Sequence, residues 1–249
     1  MTDYQPANDL LKERVVLVSG ADTDIGCCAA KIYAKHGATV VLVGGHVKEL
    51  ENTYDAIEQA GGLQPAIFPL KAEDATLNSY SELFHVVEKE FGTLDGLLHA
   101  NQRLGELTTV DHLDPEEWNK VLYVNVTSPF LLTQACLPLL RKADKASIIF
   151  STDKLGQHGK AYWGGYGVSM AGVENLMQTL ADELETNTNI RVNSIDPGAI
   201  QSAIRRSAYP GEDIRKLPTP DDVIMKYLYL MGDDSASISG EHFKAQEIE

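Results

Sequence analysis

Cysteine is scarce in this chain. Its 249 residues hold only Cys27, Cys28 and Cys136. An odd count without C-x-x-C spacing excludes a disulfide framework and a cysteine zinc site, and reads as reduced thiols of a cytoplasmic protein. No two of the seven histidines stand three or four residues apart, which excludes a helix-borne metal pair, so no metal is expected. Positive charge is short as well. Twenty-one Lys and Arg against 36 Asp and Glu give a net charge of −15. That balance excludes nucleic acid and anionic membrane surfaces as partners. It describes a soluble, self-repelling surface instead. No apolar run approaches the ~20 residues that cross a bilayer. The first residues, Met1-Thr2-Asp3-Tyr4-Gln5-Pro6, lack the basic end and apolar run of a signal peptide.

What the chain does have is alternation. Short apolar runs at Arg14 to Ser19, Thr39 to Gly44, Gln64 to Leu70, Leu94 to His99, Ala146 to Ser151 and Ile190 to Asp196 read as buried strands. Between them, Ile25 to His36, Val47 to Ala60, Leu77 to Phe91, Asp114 to Leu140 and Tyr162 to Thr186 read as helices. Continuous apolar strands alternating with helices predict an α/β fold: one doubly wound, Rossmann-type parallel sheet with helices on both faces. With no linker, repeat or low-complexity segment, residues 1–249 read as a single domain. Asp114-Pro115-Glu116-Glu117 and Thr219-Pro220-Asp221-Asp222 signal helix starts, each with a cap, a Pro and an acid at the third position. Ala199 to Pro218 breaks the alternation and reads as a long loop at the carboxyl end of a strand, where α/β sheets bind ligands.

The turn after the first strand is Ser19-Gly20-Ala21-Asp22-Thr23-Asp24-Ile25-Gly26. It resembles the Thr-Gly-x-x-x-Gly-x-Gly turn of the short-chain dehydrogenase/reductase family. Further resemblances are Val124-Asn125-Val126, Tyr166 at the head of a Tyr-x-x-x-Lys spacing, and Pro197-Gly198 after the sixth strand. Gln134-Ala135-Cys136-Leu137-Pro138-Leu139-Leu140, Leu180-Ala181-Asp182-Glu183 and Leu230-Met231-Gly232-Asp233-Asp234-Ser235 resemble its bacterial YciK-like branch most. The likeness spans nearly the whole chain. It implies a nicotinamide cofactor, NAD or NADP, held by Gly20, Ile25, Gly26, Pro197 and Gly198. It also implies a catalytic set of Asn, Ser, Tyr and Lys.

Several of the implied positions carry the wrong residue. The middle glycine of the turn is Asp24. A carboxylate about 5 Å from a phosphate charge costs roughly 3 kcal/mol at an effective dielectric near 20. After the second strand, Val43-Gly44-Gly45-His46 offers neither an acid for ribose hydroxyls nor an Arg for a 2′-phosphate. Lys71 stands where the resemblance implies an Asp beside adenine. Asn101 and Gln102 replace small residues expected near the adenosine, and Ile200 replaces a hydroxyl residue. Asn125 and Tyr166 are retained, but the Ser position is Asp153 and the Lys position is Met170. A thioether carries no charge and donates no hydrogen bond. Without a neighbouring cation, about one part in a thousand of a tyrosine is phenolate at pH 7, and an ionised Asp153 raises the phenol pKa further. Lys154 and Lys160 are the nearby cations by sequence.

The expectation from these departures is a catalytically inactive oxidoreductase homologue, with no cofactor bound. It would act as a folded homo-oligomer, a dimer or tetramer, or as the partner of an active homologue. The apolar stripes of the two long helices, with Phe130 and Trp163 on or near them, suggest the contact surface. Asn125 and Tyr166 support the alternative, an active NAD(P)-dependent oxidoreductase with a non-standard site. A third reading, a lyase that uses the fold without nicotinamide, needs a cation that Met170 removes.

Overall fold

In the computed structural model, residues 4–246 are described; Met1 to Asp3 of the amino-terminal segment lie outside them. Seven strands form one parallel sheet. They are β1 (Val15–Ser19), β2 (Thr39–Gly44), β3 (Ala66–Pro69), β4 (Gly96–His99), β5 (Ala146–Ser151), β6 (Ile190–Asp196) and β7 (His242–Lys244). Their order across the sheet is β3-β2-β1-β4-β5-β6-β7. The helices are α1 (Asp24–Lys35), α2 (Val47–Gln59), α3 (Leu77–Phe91), α4 (Pro115–Leu122), α5 (Ser128–Leu140), α6 (Gly164–Glu185), α7 (Ala203–Ala208) and α8 (Pro220–Met231).

The apolar strand runs follow from burial on both faces. In β1, Val16 and Val18 pack towards α1 and α8, while Val15 and Leu17 pack towards α3, α5 and α6. In β2, Val40 and Leu42 face the first layer, and Val41 and Val43 the second. Successive side chains point to opposite faces, so the central strands β1 and β2 carry apolar residues at nearly every position, while β6 buries Arg191, Asn193, Ser194 and Asp196. Burying one such Leu or Val contributes about 1.5–3 kcal/mol.

Two expected elements change shape. Asp114 to Leu140 is not one helix: a π-turn, Tyr123–Thr127, separates α4 from α5. Pro129 explains the break. It has no N–H to give the carbonyl of Asn125 four residues earlier, and its ring crowds that carbonyl. The Ser128 N–H reaches back five residues to the Tyr123 carbonyl instead. Ala199 to Pro218 is not all loop either, since Ser202 caps the short helix α7 by accepting from the Arg205 N–H at 3.1 Å. The edge strand β7 was not anticipated; three residues between a loop and the terminus are too few for a period to show.

The order of the strands reverses direction between β1 and β4. In an open α/β sheet that switch point leaves a crevice at the carboxyl ends of the strands.

Candidate active site

A cavity of about 390 Å³ occupies that crevice. Its wall includes Asp22, Ile25, Tyr166, Gly198 and Arg205, so it crosses the sheet from β2 towards β6. Of the residues singled out from the sequence, Ile25, Asp153, Tyr166, Pro197 and Gly198 line it, and so do the departures at Asp24, Asn101, Gln102 and Ile200. Gly20, Gly26, Asn125 and Met170 stand behind the wall.

The amino-terminal end of the cavity is built by the turn between β1 and α1. Gly20 adopts φ +81°, and a Cβ there would lie 2.6 Å from the Asn101 nitrogen. At Gly26 a Cβ would lie 1.9 Å from the Gly20 carbonyl oxygen. Both glycines are therefore steric requirements of strand–helix packing. Thr23 caps α1, its Oγ1 accepting from the Gly26 N–H at 3.2 Å. The Asp24 and Ile25 N–H groups of the first turn have no intrahelical acceptor, and helix N-termini of this kind favour anions. The Asp24 carboxylate crosses to the opposite wall, where Oδ2 accepts the Ala203 N–H at 2.7 Å. Its charge is engaged by the start of α7.

The acid that β2 fails to supply comes from the turn. Asp22 Oδ2 accepts the N–H groups of Gly45 and His46, each at 2.9 Å, and lies 2.8 Å from His46 Nδ1. Its side chain is 6% exposed. Gly44 makes room, because a Cβ there would lie 2.3 Å from Asp22 Oδ1. Sequence reasoning missed Asp22 because it looked for the acid on β2 itself. The available signal was the pair Gly44-Gly45 at the strand end, an empty space opposite a short acidic residue. Lys71 does not line the cavity. It lies 3.4 Å from Glu73 and 3.3 Å from Asp74, on the surface.

At the other end, Tyr166 is buried, and its hydroxyl donates to Gln102 Oε1 at 3.0 Å. Gln102 Nε2 donates to the Ser151 carbonyl at 2.9 Å and lies 3.9 Å from Met170 Sδ. Gln102 thus belongs to the tyrosine, not to the adenosine end where the sequence suggested it. Met170 is 1% exposed and fills with apolar bulk the place of the resemblance's lysine. Asn125, in the π-turn, accepts the Arg103 N–H at 2.7 Å and donates to the Arg103 carbonyl at 2.9 Å and to Ser169 Oγ at 2.8 Å. It pins the loop carrying Gln102 onto α6. Asp153 Oδ1 accepts the Leu155 N–H at 2.9 Å and caps the turn before α6.

Burial, then the charges of Asp153 and Asp196, holds the Tyr166 phenol well above the usual tyrosine range. Burial also raises the Asp153 carboxyl; the Leu155 N–H opposes this and Asp196 adds to it. A raised carboxyl keeps its proton more readily, so Asp153 is better suited to donate a hydrogen bond than an exposed Asp. Lys160 does not point into the site as a free cation. Its Nζ donates to Tyr209 Oη at 3.2 Å and sits 5.7 Å from the centre of the Trp163 ring. Trp163 is buried in this cluster, which removes it from the oligomer surface expected from the sequence.

Known proteins resemble this chain closely. The uncharacterised oxidoreductase YciK of Escherichia coli strain K12 is 42% identical over 243 residues, 98% of this chain and 96% of its own length. A solved Pseudomonas syringae structure, described as a short chain dehydrogenase, superposes with a TM-score of 0.96 at 48% identity, over 98% of this chain and 99% of its own. A short chain dehydrogenase from Shigella flexneri, complexed with NADP, gives 0.94 at 41% identity over 97% and 100% of the two chains. One from Escherichia coli CFT073, complexed with NADPH, gives 0.94 at 42% over the same shares. These two complexes overturn the expectation that no nicotinamide cofactor belongs in such a cleft. The geometry supplies the reason. Asp24 is bound to α7, the first-turn amides of α1 are not spent within the helix, and Asp22 restores an acid beside β2. The residues present therefore fit a dinucleotide at its phosphate and adenosine end, while Met170 does not fit the lysine's part. Residues 14–213 match the family model of the short chain dehydrogenases, and with that match this chain belongs to the short-chain dehydrogenase family.

Proposed function

We propose that the cleft binds a nicotinamide dinucleotide and that the protein is an NAD(P)-dependent short-chain oxidoreductase with a rebuilt proton-donating end. The observation that carries this reading is convergence: the α1 amino terminus, Asp22 and Tyr166 all face one cavity at the sheet's switch point. The cofactor would supply the hydride. The chain's own part is to hold phosphates at the Asp24 and Ile25 amides and to orient a substrate at Tyr166. Asp153, which lines the same cavity and whose carboxyl burial raises, is the candidate proton donor. The single continuous sheet favours one domain.

Titration with NADH and NADPH, followed by nucleotide fluorescence, tests the reading. Saturation by at least one of them at micromolar concentration is expected. No saturation by either at millimolar concentration would overturn it.

Met170 and the Tyr166–Gln102 bond favour a second reading, cofactor binding without turnover. The phenolic proton is already given to an amide, and the charges that act on it, Asp153 and Asp196, hold it in place. Mixing loaded enzyme with a panel of aldehydes and ketones separates the two. Oxidation of bound cofactor supports the oxidoreductase; intact cofactor with every carbonyl supports the second reading. We further propose self-association on the α3–α5 face, where Leu77 and Phe130 are exposed beside an apolar groove lined by Tyr80, Phe84 and Leu131.

A further inference from the structure

We infer that Asp22, presented by the glycine-rich turn and held by His46, makes this cleft select the unphosphorylated dinucleotide, NAD(H), over NADP(H). The inference rests on the dinucleotide reading and specifies it.

The carboxylate is fixed. Oδ2 takes three donors: two backbone N–H groups and the imidazole. Among the described residues no donor reaches Oδ1, although the side chain is only 6% exposed and lines the cavity. A buried, oriented acceptor with a free oxygen suits a ribose hydroxyl, which brings its own proton. It does not suit a 2′-phosphate, which brings only negative charge and acceptor oxygens.

Among the described residues no Lys or Arg ammonium or guanidinium at this end offsets that repulsion. Asp22, Thr23, Asp24 and His46 are the wall beside β2. The two Lys or Arg side chains in the wall are Lys154 and Arg205. Lys154 follows β5, three strands away from β2, or ~14 Å at normal strand spacing. Arg205 is held by both carboxylate oxygens of Glu212, at 2.6 and 2.7 Å. Lys71 packs its stem beside Gly45, but its ammonium lies with Glu73 and Asp74. Two unit charges ~5 Å apart, at an effective dielectric near 20, separate the two cofactors by on the order of a hundredfold in affinity.

Calorimetric titration of the full chain with NADH and NADPH gives the test, and it reads binding alone. NADH is expected to bind at least about tenfold more tightly. Asp22→Asn keeps an oxygen for the two amides and removes the charge. It should raise NADPH affinity and lower NADH affinity, because the ribose hydroxyl loses a charged acceptor. Gly45→Arg adds the missing cation and should favour NADPH; a Cβ there meets the Lys71 stem at 3.1 Å and the Lys71 Cα at 3.3 Å. Melting curves of both variants check that they are folded. Equal or tighter NADPH binding by the wild-type chain overturns the preference while leaving the oxidoreductase reading standing. Heat from neither nucleotide overturns both. An unchanged NADH-to-NADPH ratio in a folded Asp22→Asn variant overturns the role given to Asp22.

Discussion

The two ends of the cleft have met their missing residues in different ways. Beside β1 and β2, two departures from the family pattern are answered by other polar contacts. Asp24 has the Ala203 N–H, and Asp22 supplies the carboxylate that β2 lacks. Beside β5 and α6 the answer is apolar. Met170 fills the lysine's space with a buried thioether, and Gln102 ties the tyrosine to the Ser151 carbonyl. Exposed backbone amides explain the contrast. A helix start and a strand end offer N–H groups that any short acid can satisfy, whereas an isolated ammonium in the α6 wall has no backbone equivalent. Donors for an anion are therefore easier to replace than a placed cation.

The largest expected effect tests whether the first end is as rigid as its glycines imply. Gly26→Ala drives a methyl to 1.9 Å from the Gly20 carbonyl oxygen, backbone that cannot step aside. It should cost about 3 kcal/mol, a fall in Tm of roughly 10 °C for a chain of this size. An unchanged melting curve would break the claim that strand–helix contact fixes this turn.

A second experiment asks whether the other end lacks only its polar residues. Met170→Lys with Asp153→Ser and Gln102→Ala restores a cation, a hydroxyl and a free phenol around Tyr166. Carbonyl reduction by the loaded enzyme should rise by about a hundredfold or more. If the rate stays flat while the variant binds cofactor normally, the loss lies elsewhere in the cleft.

The smallest effect concerns pH. The Asp153 carboxyl is raised in the folded chain by burial, so the folded state binds a proton that the unfolded state has released. Stability is then complete below the ordinary Asp value near 3.8 and declines as pH rises through the folded value. Asp153→Asn removes this decline and keeps an acceptor for the Leu155 N–H. Its Tm should exceed that of the wild type by ~2 °C at pH 7 and match it near pH 3.5. A variant equally altered at both values would show that the effect is packing rather than ionisation.

The sheet was legible because its central strands are covered twice and so are written in nearly unbroken apolar residues. Val15 to Ser19 and Thr39 to Gly44 left little choice of period or place. The π-turn was less legible, because Pro129 lies inside a pattern that is otherwise helical on both sides. In the site, alignment with the family motif found Tyr166, Asp153 and Met170, since each falls at a fixed distance along one helix or its approach. Asp22 and Gln102 escaped because their roles come from loops that meet across the sheet. A one-dimensional motif cannot say that the space opened by Gly44 is filled from residue 22. Nor can it say that the amide at 102 bends under residue 166. The contact that Asp24 makes with the Ala203 N–H was not legible, because the two residues are 179 positions apart.

The contact between Gln102 and Met170 makes the history of this site hard to run backwards. A lysine regained at 170 would bring three N–H donors against an amide whose own N–H lies 3.9 Å from the present sulfur. Donor would face donor in a closed wall, so the reversion is unfavourable until residue 102 also changes. Conversely, shortening Gln102 while Met170 remains leaves a void and an unheld phenol. The two positions are therefore expected to be coupled, so that Met170→Lys and Gln102→Ala together depart from the sum of their separate effects.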